Sequence, residues 1–205
     1  MKNFKLLAVL FLLVAMLTSA CGDENSAPLP KSSSAADMKT FCEAVFHLDE
    51  SALKKVNVSK DEYQNLLTAE FTKSFLESSG VNFSEQQINL VSEAFLNLLK
   101  RVNIETRTVS ENDNKAVVDV TVDVFQTFNE NLLMSKLPQD IAEQPEEVRI
   151  DEIAKAIAAT LNDLKKISNS TVQATCTYSE ENEMWLPDDT EGIGELLITR
   201  ILNVQ

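Results

Sequence analysis

A single histidine is the simplest candidate for acid–base chemistry in this sequence. His47 is followed two residues later by Asp49, and a carboxylate can orient an imidazole so that it acts as a general base. Residues at i and i+2 do not face each other on a helix, however. The sequence therefore favours a second interpretation, in which His47 lies on the surface at a helix end, where a positive charge is stabilised.

Two acidic clusters are the second chemical feature. They are Asp188-Asp189-Thr190-Glu191 and the segment from Glu143 to Glu152. Calcium prefers oxygen ligands, but neither cluster matches an EF-hand loop, so we interpret both as solvated acidic surface. The sequence also lacks the common nucleophile, zinc-binding, dithiol and phosphate-binding motifs. We therefore predict no catalytic residues, no bound metal and no cofactor.

Cys42, Cys176 and Trp185 each have a functional and a structural interpretation. The two cysteines fall at predicted core positions and could form a disulfide in an oxidising compartment, which would constrain the unfolded chain. The alternative is a pair of buried thiols. Trp185, the only tryptophan, could line a ligand pocket, although a residue of this type on a late strand more often completes the core.

The first 20 residues have the pattern of a secretory signal. Lys2 and Lys5 precede an unbroken apolar run over residues 6–17. This run is shorter than the roughly 20 residues that a membrane-spanning helix needs, and small residues follow it at positions 18–20. Such an order is typical of a signal peptide that is removed from the mature protein.

The junction Leu17-Thr18-Ser19-Ala20-Cys21 resembles the lipobox of bacterial lipoproteins. The resemblance implies cleavage after Ala20, a diacylglycerol on the sulfur of Cys21 and acylation of the new amino terminus. Several acyl chains on one residue would hold the protein firmly on a bilayer. The lipid bilayer would then be a partner, and the folded part would lie in the cell envelope outside the cytoplasm. The alternative is an ordinary secretory signal that leaves Cys21 free.

Composition narrows the class of protein. The 205 residues include 18 Lys and Arg against 32 Asp and Glu, for a formal charge of −14. A nucleic-acid partner is excluded because a phosphate backbone needs a basic surface. Hydrophobic residues make up 44%, as in a globular domain, whereas residues 22–36 are polar and rich in Ser and Pro. We therefore predict a signal peptide over 1–20, a lipidated cysteine and flexible tether over 21–36, and one domain over 37–205.

Hydrophobic periodicity predicts several helices in the domain. They cover about 37–48, 51–56 and 59–78, then 84–102, and a further stretch from about 150. Ser59 and Ser84 each begin a capping box, and Gly80 is the expected stop of the third helix. The segment 190–202 is compatible with a helix or with a strand bent at Gly192 and Gly194.

We predict strands over 102–109, over 115–125, where apolar and polar residues alternate strictly, and over 171–178, where the alternation is repeated, with a return over 183–186. Each alternating strand has one apolar and one polar face, which is typical of an antiparallel sheet covered on one side. The predicted fold class is α+β, with helices packed on one face of a curled antiparallel sheet. The polar face would meet solvent or a partner; it carries Asp119, Asp123, Thr175 and Thr177.

The order of elements resembles small bacterial lipoproteins whose domain is cystatin-like or nuclear-transport-factor-2-like. The resemblance rests on the lipobox, the helix-first order, the segment from Asn114 to Val120, and the late strand Met184-Trp185-Leu186-Pro187. It implies a fold but no activity. The sequence thus favours a non-catalytic lipoprotein that binds an envelope protein or a small molecule. The alternative is a small pocket enzyme of the curled-sheet type, using His47 or a buried carboxylate.

Overall fold

A computed structural model describes residues 32–56, 58–72 and 80–203. Within these residues the fold is α+β, as predicted, with seven α-helices and four β-strands. In chain order the elements are α1 (Ser34–Cys42), a π-helical turn (Glu43–His47), α2 (Glu50–Lys55), α3 (Lys60–Phe71), α4 (Glu85–Lys100), β1 (Ile104–Asn112), β2 (Lys115–Phe125), α5 (Glu130–Met134), a 3₁₀ turn (Ile141–Glu143), α6 (Glu146–Asp163), β3 (Lys166–Ser179), β4 (Met184–Pro187) and α7 (Thr190–Ile201).

The four strands form an antiparallel sheet in the order β1-β2-β3-β4. β2 pairs with β1 on one side and with β3 on the other, so that Val120 lies opposite both Thr106 of β1 and Val172 of β3. β4 is much shorter and pairs only with residues 176–179 of β3. Each strand therefore lies beside the next one in the chain, which the sequence pattern alone did not determine.

The core lies between the sheet and the helices. The inward side chains of β2 are almost fully buried, as the alternation predicted, and they are Ala116, Val118, Val120 and Val122. α1 contacts β1, β2 and β4, whereas α7 contacts β2, β3 and β4. Because α1 touches both β1 and β4, the two edge strands, the sheet curls around this helix. α6 packs against α4.

The first helix begins earlier than the sequence indicated. α1 starts at Ser34, inside the stretch assigned to the tether, and the π-helical turn carries it to His47. Its start is fixed by β1, because the Ser34 hydroxyl lies 2.8 Å from Thr108 Oγ1 and the Ser34 amide donates to Glu111 at 3.2 Å. Long-range bonds of this kind leave no periodic signal in the sequence.

The two predicted capping boxes have different outcomes. At Ser84 the box is confirmed, because the Gln87 amide donates to the Ser84 hydroxyl and the Ser84 amide donates to the Gln87 side chain. At Ser59 it is wrong, because this residue precedes α3 without a side-chain cap bond. The predicted end of that helix at Ser78 lies outside the described residues, and Gly80 has a φ of 71°.

The other boundaries shift by a few residues. β1 extends to Asn112, which pairs with Lys115 and leaves a two-residue turn in which Asp113 has a φ of 33°. α6 begins at Glu146, directly after Pro145, rather than near residue 150. Pro is tolerated at a helix start because no amide is needed there. The segment that connects β2 to α6 contains α5 and the 3₁₀ turn.

The ambiguous segment 190–202 is a helix, α7. Its first turn is capped by Asp189, whose carboxylate accepts from the Gly192 amide at 2.8 Å. A Cβ at position 192 would lie 2.2 Å from the Asp189 carboxylate. Glycine leaves room here for the Asp189 side chain to cap the helix, and it does not mark a bend in a strand.

Candidate functional site

The outer face of the sheet carries a ladder of polar side chains across three strands. Asp119 on β2 accepts from the Arg107 guanidinium on β1 at 2.7 Å and from the Gln173 amide on β3 at 3.1 Å. These two hydrogen bonds hold the pKa of Asp119 below its usual range. The next pair is Thr121 with Thr171, whose hydroxyls are 2.8 Å apart. The predicted polar face therefore exists, with its groups paired across the strands.

One predicted member of this face is buried instead. Asp123 is only 5% exposed. Its carboxylate lies 2.7 Å from the Lys166 ammonium and accepts from the Asn103 amide at 3.2 Å. The prediction that Asp123 meets solvent is thus wrong, because the strand end is closed by the chain that enters β1 and β3. A buried carboxylate needs such partners to remain charged.

A cleft of about 470 Å³ opens at the edge of β3. One wall is strand, and the other wall is the start of α7. Its lining residues include Gln173, Thr175, Pro187, Asp188, Ile193 and Leu196. Leu196 is 38% exposed, so the cleft combines an apolar side chain with strand backbone and carboxylates.

The aspartates of the acidic cluster beside this cleft form hydrogen bonds and an ion pair with other residues of the domain. Asp188 accepts from the Lys115 ammonium at 2.9 Å and from the Thr177 hydroxyl, and Asp189 caps α7. In the second cluster, Lys155 lies 2.7 Å from Asp151 and 2.9 Å from Glu152. In the described ranges, no group of three or more His, Cys, Asp or Glu side chains could hold a metal ion.

His47 and Asp49 are neighbours in sequence but have separate partners. The His47 ring, half-buried at the end of the π-helical turn, bonds through Nε2 to the Val102 carbonyl at 2.8 Å. Asp49 caps α2 by accepting from the Ala52 amide at 2.8 Å and from the Ser51 hydroxyl at 2.6 Å. The Ser51 hydrogen bond is the main reason why the pKa of Asp49 is lowered. His47 therefore joins the first helical segment to the end of α4.

Cys42 and Cys176 face the same core from α1 and β3, and both are free thiols. Burial raises the pKa of Cys42 far above its ordinary value, and the neighbouring Cys176 adds to this effect. Burial also raises the pKa of Cys176 to about 12. Both groups are therefore protonated at neutral pH and poorly nucleophilic. The disulfide between them stays a prediction.

Trp185 is a core residue, as its position on a late strand predicted. It is fully buried, and its ring stacks edge-on against Tyr178 at 5.5 Å. Its indole Nε1 donates to the Ser32 carbonyl and its amide donates to Asp37, both at 2.9 Å. Asp37 also accepts from the Ser32 hydroxyl. β4 is thereby joined to the chain that enters α1, a contact for which the sequence carries no signal.

The predicted signal peptide and Cys21 lie outside the described residues. Among the helices of the described residues, none has the length and apolar character that crossing a bilayer requires.

The fold has a counterpart among solved structures. It is that of a Bacillus subtilis subsp. subtilis str. 168 protein provisionally classed as a lipoprotein (ycdA), with a TM-score of 0.64 at 15% sequence identity. The two chains share a fold. The match covers 82% of this chain and 55% of the other, so the chain spans about half the length of that protein. No protein-family model and no curated protein matches the sequence.

Proposed function

We propose that this protein is a bacterial lipoprotein, held on the cell-envelope membrane by acyl chains on Cys21, whose domain binds an envelope protein or a small molecule without catalysis. The apolar run, the small residues and the cysteine at position 21 support the anchor. The fold shared with a bacterial protein classed as a lipoprotein agrees with this assignment. The proposed cystatin-like or nuclear-transport-factor-2-like relationship agrees with the curl of the sheet around α1.

The filled interior is the observation that carries the binding role. In a pocket enzyme of the curled-sheet type, the substrate would lie between the concave side of the sheet and the helices. Here that space is occupied by side chains that are at most 2% exposed, among them Phe41, Val118, Val120 and Trp185. Recognition is therefore expected on the outside of the domain.

The buried polar groups also favour binding over catalysis. Asp37, the buried carboxylate beside Trp185, is engaged by a backbone amide and a hydroxyl. Asp123 is paired with Lys166, and the single histidine is bonded to a backbone carbonyl. A general base needs a free path to the proton that it removes, and each of these groups is committed to a structural partner.

Replacing the anchor cysteine tests the first half of the proposal. Cys21→Ser should abolish membrane fractionation and palmitate incorporation, because a hydroxyl is not the acceptor in this processing. Ser26→Ala, in the same linker, is the matched control and should stay in the membrane fraction. A Cys21→Ser protein that still sediments with membranes after a high-salt wash would contradict the anchor.

Gentle detergent extraction followed by native mass spectrometry tests the second half. A bound small molecule or a different polypeptide at a constant stoichiometry would support the binding role. A bare chain, with or without its acyl groups, would contradict the role, whatever the outcome of the fractionation experiment.

A further inference from the structure

A second cleft lies at the end of the sheet where β2 ends and β3 begins. Its volume is about 470 Å³, which is within the size range of small-molecule sites. Its walls are the chain that follows β2, the short helix α5, Ile167 of β3 and the chain after α7. We call it the amide cleft because one glutamine and three asparagines line it, namely Gln126, Asn129, Asn131 and Asn203.

The lining of the amide cleft is polar but uncharged. Besides the four amides it consists of Thr127, Leu132, Ser135 and Ile167, and no Asp, Glu, Lys, Arg or His is among these described residues. In the chain as a whole, 24% of the residues are charged. Because an uncharged site cannot offset the dehydration of an ionic ligand, the lining favours a neutral ligand that has several polar groups.

Hydrogen bonds within the domain fix the orientation of three of these amides. The Lys165 amide donates to Gln126 Oε1 at 3.2 Å. Asn129 Nδ2 donates to the Thr127 carbonyl at 3.2 Å, and Asn203 Nδ2 donates to Thr127 Oγ1 at 2.9 Å. A side-chain amide has two donor hydrogens and a carbonyl with two lone pairs. Of these groups in the described residues, the Nε2 donors of Gln126 and the Oδ1 acceptor of Asn203 are left for a ligand.

An apolar surface accompanies the fixed polar groups. Ile167 is 55% exposed, and Leu132 is half-buried on α5. A pyranose ring has C–H groups on its faces and hydroxyl groups around its edge, and each hydroxyl can donate and accept a hydrogen bond. A sugar therefore matches both the amides and the apolar side chains. A nucleobase matches less well, because no aromatic side chain is among the lining residues to stack on it.

The cleft is far from the point where the tether enters the domain. The Ser32 carbonyl accepts from the indole of Trp185, and Trp185 pairs with Tyr178 near the end of β3. Ile167 precedes Tyr178 by 11 residues of the same strand, a distance of about 36 Å at the usual rise of a strand. An anchor at the other end of the sheet therefore leaves the amide cleft accessible.

We propose that the amide cleft binds a neutral sugar, with or without acetamido groups. Gln126 donates from Nε2 to a sugar oxygen, Asn203 accepts from a hydroxyl through Oδ1, and Ile167 packs against a C–H face of the ring. The assignment rests on the proposed binding role and names the chemical class of its small-molecule ligand.

Calorimetric titration of the full chain in detergent micelles tests the site, with a detergent that has no sugar headgroup. The probes are N,N′-diacetylchitobiose, which has acetamido groups, and maltose, which has hydroxyl groups only. Binding of either supports the proposal, and their relative affinity shows whether the acetamido group is recognised. A peptide of three alanines with both ends blocked is titrated beside them as a neutral ligand of another class.

Two variants locate the bound sugar. Gln126→Glu keeps the acceptor for the Lys165 amide but removes the Nε2 donors, so it should raise the dissociation constant about tenfold or more. Gln86→Glu makes the same change at an exposed residue of α4 outside the cleft and should leave the affinity unchanged. Ile167→Ala, at an exposed position, should also weaken binding and provides the same test if Gln126→Glu does not fold.

Three results would overturn the sugar site: no heat of binding with either sugar, equal affinities for the parent and the cleft variants, or tighter binding of the blocked peptide. The proposed function is judged separately by native mass spectrometry of the extracted protein. A polypeptide or a small molecule other than a sugar at constant stoichiometry there would uphold the binding role and contradict this inference.

Discussion

At the β1 edge of the sheet, the start of α1 covers the strand, whereas among the described residues no strand pairs with the outer edge of β3 along residues 168–174. On β1, Thr106 donates to the Ala35 carbonyl at 2.7 Å, and Thr108 and Glu111 bond to Ser34. The register also shifts between Thr108 and Ser110, which places a bulge at Val109 and interrupts a regular edge.

This contrast shows that the two edges have different roles. A covered and bulged edge cannot accept another strand, so β1 ends the sheet. A long, regular and uncharged edge keeps backbone groups to which another strand can pair. The β1 edge is therefore closed by bonds within the chain, whereas in the described residues the part of β3 before residue 175 has no strand on its outer edge.

The largest expected effect comes from removing the side chain that joins β4 to the chain before α1. Trp185→Ala removes a fully buried ring and its bond to Ser32, and the free energy of unfolding should fall by about 3–5 kcal/mol. Trp185→Phe keeps much of the volume and should lose less. Urea denaturation measures both. A loss below about 1 kcal/mol for the alanine variant would place the residue outside the core.

Two threonine variants compare how much a hydrogen bond at the covered β1 edge and one on the outer face of the sheet each contribute to the free energy of unfolding. Thr106→Val breaks the bond to Ala35 and leaves that carbonyl without its hydroxyl donor, so the unfolding free energy should fall by about 1 kcal/mol. Thr121→Val breaks only the exposed hydroxyl pair with Thr171 and should cost less. Equal losses in urea denaturation would mean that the bonds of α1 to β1 do not stabilise the covered edge.

The smallest expected effect concerns the pH dependence of the outer face. Because the pKa of Asp119 is lowered in the fold, its ionised form stabilises the domain above its unfolded pKa of about 3.9. That contribution is lost as the pH falls through the lower folded value. Asp119→Asn should therefore be less stable than the parent at neutral pH, and the difference should shrink below pH ~4 in thermal melts. A difference that is constant with pH would show that the charge plays no part.

Much of the fold was predictable because it depends on local patterns. The alternation over 115–125 gave the bounds of β2, and the Ser84 capping box gave the start of α4. The buried side chains of β2 followed from the same alternation. The site was less predictable. The polar face could be anticipated from alternation. The burial of Asp123 could not, because it depends on the segments that enter β1 and β3, which are distant from this residue in sequence.

The sequence alone determined the class of the fold, the likeness of its first 21 residues to a lipoprotein signal, and the residues that alternate into the core. These features arise from periodicity and short motifs, which are local. Only the tertiary structure decided that α1 begins at Ser34, that Trp185 bonds to Ser32 and Asp37, and that β3 has an open edge. Each of these depends on which distant segments meet, and a strand becomes an edge only by the position of its neighbours.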